Sequence, residues 1–388
     1  MQPHAPTHLR TLAMRLHRWV ALTLGAWFAL LGLTGGVLVW HAKLDRALNP
    51  EWFGPRACAQ RSATPVADAL EVFAHATRGA TATQVMAPAE AGAAFTVWEK
   101  PPADGLRRQH FVDPHCGAYL GKRAWGAARI DRAHVVPALY ELHRALLLRD
   151  AGHTAVGFAG LALSFVAITG LWTAWPRHAT REAWKRVFTL KRGASTHRRF
   201  YDLHRATGAW LALFLLLMSV TGAYLCFPKQ ARALVATLLP TSPAEMRKPS
   251  ATQPSPQPPD VLVQRAETLW PDTTWSRLQL PGGGKGAWDV RLLQGAEVRA
   301  DTGDTRVRFD DAGSVVDRRD PLRGPAGDRL IAWLFPLHSG EALGVVGRVA
   351  WSAFGLAPAL LLFTGVWLWL RRRRRAAASI VPPARPCR

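Results

Sequence analysis

The chain has 388 residues, 49% of them hydrophobic, and a formal net charge of +22. Four stretches of twenty-two residues nevertheless hold no charged side chain: 19–40, 154–175, 206–227 and 349–370. Each would reach about 33 Å as a helix, enough for the hydrocarbon core of a bilayer, which excludes a soluble enzyme, a disordered protein and a secreted disulfide scaffold.

In chain order the sequence predicts a cytoplasmic N-terminus with a first span (1–41) and an exported α+β segment (42–133). A second span with an extension on the exported side follows (134–176), then a basic cytoplasmic loop (177–205) and a third span (206–227). A second exported α+β segment (228–329) leads to a fourth span with a similar extension (330–370) and a cytoplasmic tail (371–388). The sidedness comes from charge. The loop carries nine Lys/Arg against Glu182 and Asp202, Arg10, Arg15 and Arg18 precede the first span, and Arg371–Arg375 follow the last. Basic residues at short loops and span ends face the cytoplasm. Topology thus accounts for the charge, and no nucleic-acid partner is expected. The first span is too long for a signal-peptide core and lacks a small-residue cleavage site, so it is expected to remain.

The chain repeats itself. Leu16-His17-Arg18 with Thr34-Gly35 matches Leu203-His204-Arg205 with Thr221-Gly222, and Leu142-His143 with Thr169-Gly170 matches Leu337-His338 with Thr364-Gly365. The His-to-Thr spacing is seventeen in the first pair and twenty-six in the second. Two parallel copies of one unit, helix, exported segment, helix, are therefore expected.

The exported segments fit the same duplication. Residues 64–78 have helical spacing, and alternating runs near 95–98, 109–112 and 118–120 read as strands. The second copy has a helix near 259–269 and strands near 276–280, 287–292, 306–309 and 314–316. Each segment is expected to form one helix on its own small antiparallel sheet, and the Pro/Ser/Thr-rich run 240–259 reads as a linker. A Cys58–Cys116 disulfide and two separate thiols both fit an exported segment. The run Gly282-Gly283-Gly284-Lys285-Gly286 lies between strands and is not a nucleotide loop.

Histidine carries the chemistry. Six of the fourteen sit at span ends: His17, His41, His143, His153, His204 and His338. An isolated histidine at a membrane boundary needs no function, since its polar edge reaches headgroup water. The repeat of Leu-His at matched places in all four helices does need one. A two-fold axis along the membrane normal would place His17 with His204 on the cytoplasmic side and His143 with His338 on the outer side. Paired neutral imidazoles from opposite helices suit the two axial positions of a haem iron, whereas zinc would want three or four ligands at one point. Arg18, Arg144 and Arg205 adjoin these histidines and are candidate partners for haem propionates, although Arg18 and Arg205 also serve as topology signals. If the second and fourth helices run straight, the outer pair stands about 50 Å from the inner one. His41 and His153 offer a nearer second choice.

At these residues the chain resembles a known family. Leu16-His17-Arg18-Trp19, Leu44-Asp45-Arg46-Ala47-Leu48-Asn49-Pro50, Thr169-Gly170-Leu171-Trp172 with Trp175-Pro176-Arg177, and Thr364-Gly365-Val366-Trp367 with its arginine run are similar to the PepSY-associated transmembrane-helix family. The resemblance implies an α-helical membrane protein of four transmembrane helices with two periplasmic PepSY-like domains. It also implies membership alongside haem-containing ferric-siderophore reductases of Gram-negative inner membranes, of the FoxB/PiuB-like kind. It further implies one or two haem b groups held by His17, His204, His143 and His338, and a ferric siderophore or other iron chelate as substrate. Gly152-His153 departs from the Gly-Arg more usual there.

The expected activity is electron transfer across the bilayer to a periplasmic ferric chelate, from a quinol or a cytoplasmic reductase. The rival is a non-enzymatic membrane protein that binds or regulates a periplasmic partner. A transporter fits less well, because no acidic residue lies inside the four spans. No HExxH motif supports a metallohydrolase.

Overall fold

The computed structural model describes residues 7–56, 65–88, 90–102, 105–243, 257–281 and 287–378. The first copy runs α1 (Thr7–Leu38), α2 (His41–Leu48), α3 (Pro50–Phe53) and α4 (Pro65–Thr77). Strands β1 (Ala82–Met86), β2 (Phe95–Glu99), β3 (Arg108–Asp113) and β4 (Ala118–Ala124) follow, then α5 (Val135–Ala145) and α6 (Arg149–Ala174). After α7 (Arg181–Phe188), the second copy runs α8 (Thr196–Cys226), α9 (Pro228–Leu238) and α10 (Pro259–Leu269). It continues with β5 (Thr273–Gln279), β6 (Trp288–Gln294), β7 (Thr305–Phe309), β8 (Val315–Arg319), α11 (Ala326–Ser339), α12 (Gly344–Phe354) and α13 (Ala357–Ala378). The chain divides into a helical unit (1–39, 153–226 and 349–388) and a sheet unit (40–152 and 227–348).

Among the described residues, four segments, lying mostly in the helical unit, are long and apolar enough to span a bilayer: His8–Leu38, Arg149–Ala174, Thr196–Cys226 and Glu341–Arg375. This is a multi-pass membrane protein. Lipid is as apolar as leucine, so close packing through small residues joins such helices. A Cβ placed on Gly32 of α1 would lie 2.5 Å from the Gly355 carbonyl oxygen, and one on Gly355 would lie 2.6 Å from the Gly32 carbonyl oxygen. The second such crossing joins α6 and α8, where a Cβ on Gly160 would lie 3.0 Å from the Ser219 carbonyl oxygen and Ser164 Oγ meets Ser219 Oγ at 2.8 Å. Ser219 follows Gly32 by the offset that relates His204 to His17, and Gly355 follows Gly160 by the offset that relates His338 to His143. Equivalent positions of the two copies thus make equivalent contacts, as expected of a two-fold arrangement.

Polar ends are fastened from neighbouring helices. Arg10 of α1 donates to the Thr173 and Trp175 carbonyls at 2.7 Å each, satisfying the C-terminus of α6. The basic loop forms α7, capped by Thr180, whose Oγ1 accepts from the Ala183 N–H at 3.2 Å.

In the sheet unit, the expectation of two separate sheets is overturned. All eight strands form one antiparallel sheet, ordered β4-β3-β2-β1-β5-β6-β7-β8. The first strands of the two copies pair, with Val85 opposite Leu278 and Met86 opposite Arg277. Each four-stranded half would otherwise leave an unpaired edge, and joining β1 to β5 satisfies both. Helices α4 and α10 share one core with both halves. Val66, Phe73, Leu262 and Ala266 pack with Val85, Val97, Leu278, Val290 and Val307, all buried. Asp260 of the second copy caps the first copy's α4, accepting from the Val66 and Ala67 N–H groups at 3.0 and 2.8 Å.

The Leu44–Pro50 motif is a structural fastener. Asp45 and Arg123, both buried, pair bidentately at 2.7 and 2.6 Å, and Asn49 Nδ2 donates to Asp45 Oδ1 at 2.9 Å.

The helices bearing His143 and His338 do not run straight into the spans that follow them. Helix α5 ends at Leu146 in the left-handed region (φ 51°), and Leu147 and Arg149 have positive φ as well. Helix α11 ends at Gly340 (φ 78°) before a 3-10 turn, Glu341–Leu343. Tight corners make both breaks. A Cβ on Gly152 would lie 1.8 Å from the Ala145 carbonyl oxygen, and one on the corresponding Gly347 would lie 2.3 Å from that of Gly340. Only glycine admits this approach. The 50 Å separation rested on continuous helices and is withdrawn.

Cys116 is disulfide-bonded. Its expected partner Cys58, the Gly282–Gly286 run and most of the 240–259 linker lie outside the described residues.

Candidate functional site

His17 lies on α1 with its ring against α6. Its Nδ1 is 3.0 Å from the Val166 carbonyl oxygen and 3.2 Å from Thr169 Oγ1. A carbonyl only accepts, and the Thr169 hydroxyl already donates to the Phe165 carbonyl at 2.7 Å, so Nδ1 carries the proton and Nε2 keeps its lone pair. Gly170, next in sequence, leaves room for the ring. A Cβ there would sit 2.9 Å from His17 Cε1.

The second copy repeats this arrangement. His204 Nδ1 on α8 is 2.9 Å from Thr364 Oγ1 of α13, and the Thr364 hydroxyl donates to the Leu360 carbonyl at 2.8 Å. A Cβ on Gly365 would sit 3.3 Å from His204 Cε1. The two imidazoles lie within electrostatic range of each other. Both offer Nε2, oriented by a hydrogen bond at the other ring nitrogen, which is how metal-bound histidines are ordinarily supported.

The second expected pair meets in the sheet unit. His143, in the last turn of α5, and His338, in the last turn of α11, have ring centroids 6.3 Å apart with an interplanar angle of 49°. A metal–imidazole bond is about 2 Å and the ring centroid lies about 1 Å beyond the nitrogen, so two imidazoles on one metal have centroids about 6 Å apart. The observed spacing matches. Among the described residues no three His, Cys, Asp or Glu side chains converge on one point. The spacing of His143 and His338 would suit two imidazoles held by one haem iron, and the free Nε2 of His17 and of His204 would suit the same role.

His41, the second choice, opens α2 in the sheet unit with its ring 6.0 Å from Tyr140, while His153 belongs to the helical unit. The three arginines differ in their commitments. Arg205 pairs with Asp202 at 2.8 Å and donates to the carbonyls of Arg186, Val187 and Thr189, closing the C-terminus of α7. Arg144 pairs with Glu141 at 3.1 Å. Arg18 Nε is buried with no hydrogen-bond partner among the described residues, which leaves it suited to an anionic group.

In the sequence Thr169-Gly170 and Thr364-Gly365 mark the repeat, and the two glycines are small residues that make room between helices. The structure places them as the supports of His17 and His204. The matched twenty-six-residue spacing was the available signal, but only the fold brings Thr169 to the histidine of a different helix.

A cavity of about 390 Å³ is lined by Leu190, Lys191, Arg192, Gly193, Arg199, Phe200 and Leu203. Phe200 stacks on Trp367 with centroids 4.0 Å apart.

Residues 14–372 match the sequence profile of the PepSY-associated TM region. Among curated proteins, uncharacterized protein PA4219 of Pseudomonas aeruginosa is 26% identical over 261 residues. The match covers 61% of this chain and 64% of that relative's length.

Proposed function

Since the chain belongs to the PepSY-associated TM region family, we propose that it is a b-type haem protein of the bacterial inner membrane that passes electrons to ferric chelates, ferric siderophores among them, on the periplasmic side. The observation that carries this reading is the duplicated support of His17 and His204, each held at Nδ1 by a threonine and seated on a glycine. A structural histidine at a membrane boundary needs neither the seat nor its repetition.

His17 and His204 would hold one haem, and His143 with His338 a second, with Arg18 available to a propionate. What such a cofactor supplies is one-electron transfer at a potential tuned by its ligands and burial. The chain's own part is to orient four imidazoles, keep Nε2 deprotonated at the inner pair and shield that pair among apolar helices. The basic loop and termini support a cytoplasmic placement, and the disulfide at Cys116 suits a sheet unit in an oxidising periplasm. The cavity lined by Phe200 and Leu203 offers a donor side, for a quinol or a cytoplasmic reductase. One electron from that donor converts chelated Fe(III) to Fe(II), which hard oxygen ligands hold less well, and the metal is released.

Reduced-minus-oxidised absorbance of the purified protein tests this. Bands of six-coordinate b haem are expected, reduced by His17→Ala and His204→Ala, together with donor-driven reduction of a ferric siderophore. Haem-supplied protein without such bands would favour the alternative, a non-enzymatic membrane protein that binds or regulates a periplasmic partner.

A further inference from the structure

The face of the sheet opposite α4 and α10 carries a row of arginines. Residues alternate across a strand, so Leu278, Val290 and Val307 point into the core while Arg277, Arg291 and Arg306 point the other way. The register sets them side by side: Arg277 pairs with Arg291, Arg291 with Arg306, and Arg306 with Arg319. Like charges directly opposite each other destabilise a sheet, so the row needs compensation.

The protein compensates only in part. Arg306 pairs with Asp289 at 2.7 Å, and Arg291 with Asp304 at 3.2 Å. Arg299, on the β6–β7 connection, takes Asp301 at 3.1 Å and shares Asp304 at 3.3 Å. Arg277 Nε is buried with no hydrogen-bond partner among the described residues. Burial, with Arg299, Arg306 and Arg107 outweighing the nearby Asp301, holds its guanidinium below the usual arginine range, and burial brings Arg291 to about 10. A buried arginine with more cations than anions around it is costly unless something else supplies the balancing charge.

This cluster adjoins the outer histidines. The Arg299 guanidinium lies 4.4 Å from the Phe335 ring centroid, one turn before His338. Tyr140, one turn before His143, is within electrostatic range of Arg299 and Arg144.

We infer that Arg277, Arg291 and Arg306, with Arg107 and Arg299, form a binding site for an anionic chelate, so that the ferric complexes this chain takes are negatively charged, of catecholate or carboxylate type, rather than neutral. The assignment of that ligand as an iron complex rests on the proposed electron-transfer reading. Planar guanidinium forks match paired anionic oxygens, and the row offers several in register. Haem propionates have the same chemistry, and the experiment separates the two sources.

The full-length protein in detergent, oxidised and without donor, is titrated with a ferric tris-catecholate, which is strongly anionic, and with a neutral ferric tris-hydroxamate, following tryptophan fluorescence. The anionic complex is expected to bind more tightly, to weaken with salt and to lose about tenfold in affinity in Arg277→Gln, the loss of one charge-assisted contact. Arg277→Lys, which keeps the charge without the fork, should fall between. Haem content should be unchanged in both variants, and Arg277→Gln should melt no lower than the parent, since it removes an uncompensated charge. Equal binding of the two complexes would overturn the inference. So would loss of haem in Arg277→Gln, which would make the row a propionate anchor. A parent protein without haem that still prefers the anionic complex would defeat the electron-transfer reading alone, whereas a haem-loaded protein that reduces only the neutral complex would defeat the arginine site alone.

Discussion

His17 and Gly170 are in such close contact that a single methyl group at position 170 would stand 2.9 Å from the imidazole Cε1. Gly365 bears the same relation to His204, at 3.3 Å. The glycines are therefore seats that set where each ring lies.

Gly170→Ala should displace the His17 ring and cost about 1–3 kcal/mol of packing. In the proposed reading the b-haem absorbance bands should fall markedly. Gly365→Ala meets a looser contact and should be milder. Haem-to-protein ratios of the two variants, measured side by side, check the order; a more severe effect at 365 would contradict it.

Thr364→Val keeps the shape of the side chain and removes the hydroxyl that accepts from His204 Nδ1. Losing an outer hydrogen bond to a metal-bound histidine costs about 10–100-fold in affinity or activity. Haem retention under competition from a haem-scavenging protein is expected to drop accordingly, and Thr364→Ser to restore most of it.

Asp45→Ala would leave Arg123 buried without its carboxylate. Removing one partner of a buried pair costs about 3–5 kcal/mol. Thermal unfolding followed by far-ultraviolet circular dichroism should move to clearly lower temperature, while exposed Arg46→Ala should change little.

His110 is buried between Glu99 and Tyr119, with Nε2 2.9 Å from Glu99 Oε2 and Nδ1 3.0 Å from the Tyr119 hydroxyl. Burial pushes its pKa below 6.5, and the Glu99 carboxylate only partly offsets this. A base whose folded pKa is depressed takes up its proton first in the unfolded chain. Stability should therefore fall as pH drops below about 6.5 and level off under the folded pKa. His110→Gln should flatten that decline, as melting temperatures between pH 7.5 and 5 (about the range of interest) would reveal.

Membrane spans and the internal repeat were legible before folding, and so was the nomination of His17, His143, His204 and His338 as candidates. Hydrophobic length, charge placement and periodicity are properties of a linear pattern, and a duplicated chain writes its symmetry as matched spacings. The α4 and α10 boundaries and most strands followed from the same local signals. Tertiary contacts decided the rest. The β1–β5 junction depends on which exposed edges find each other across 187 residues of chain, which periodicity does not encode. The corners at Gly152 and Gly347 depend on a carbonyl from the preceding helix, the seats under His17 and His204 on glycines of other helices, and the arginine row on the register between successive strands. Each is a contact between surfaces that meet only once the backbone has closed, so the amino-acid order named the ligand candidates while packing determined what holds and surrounds them.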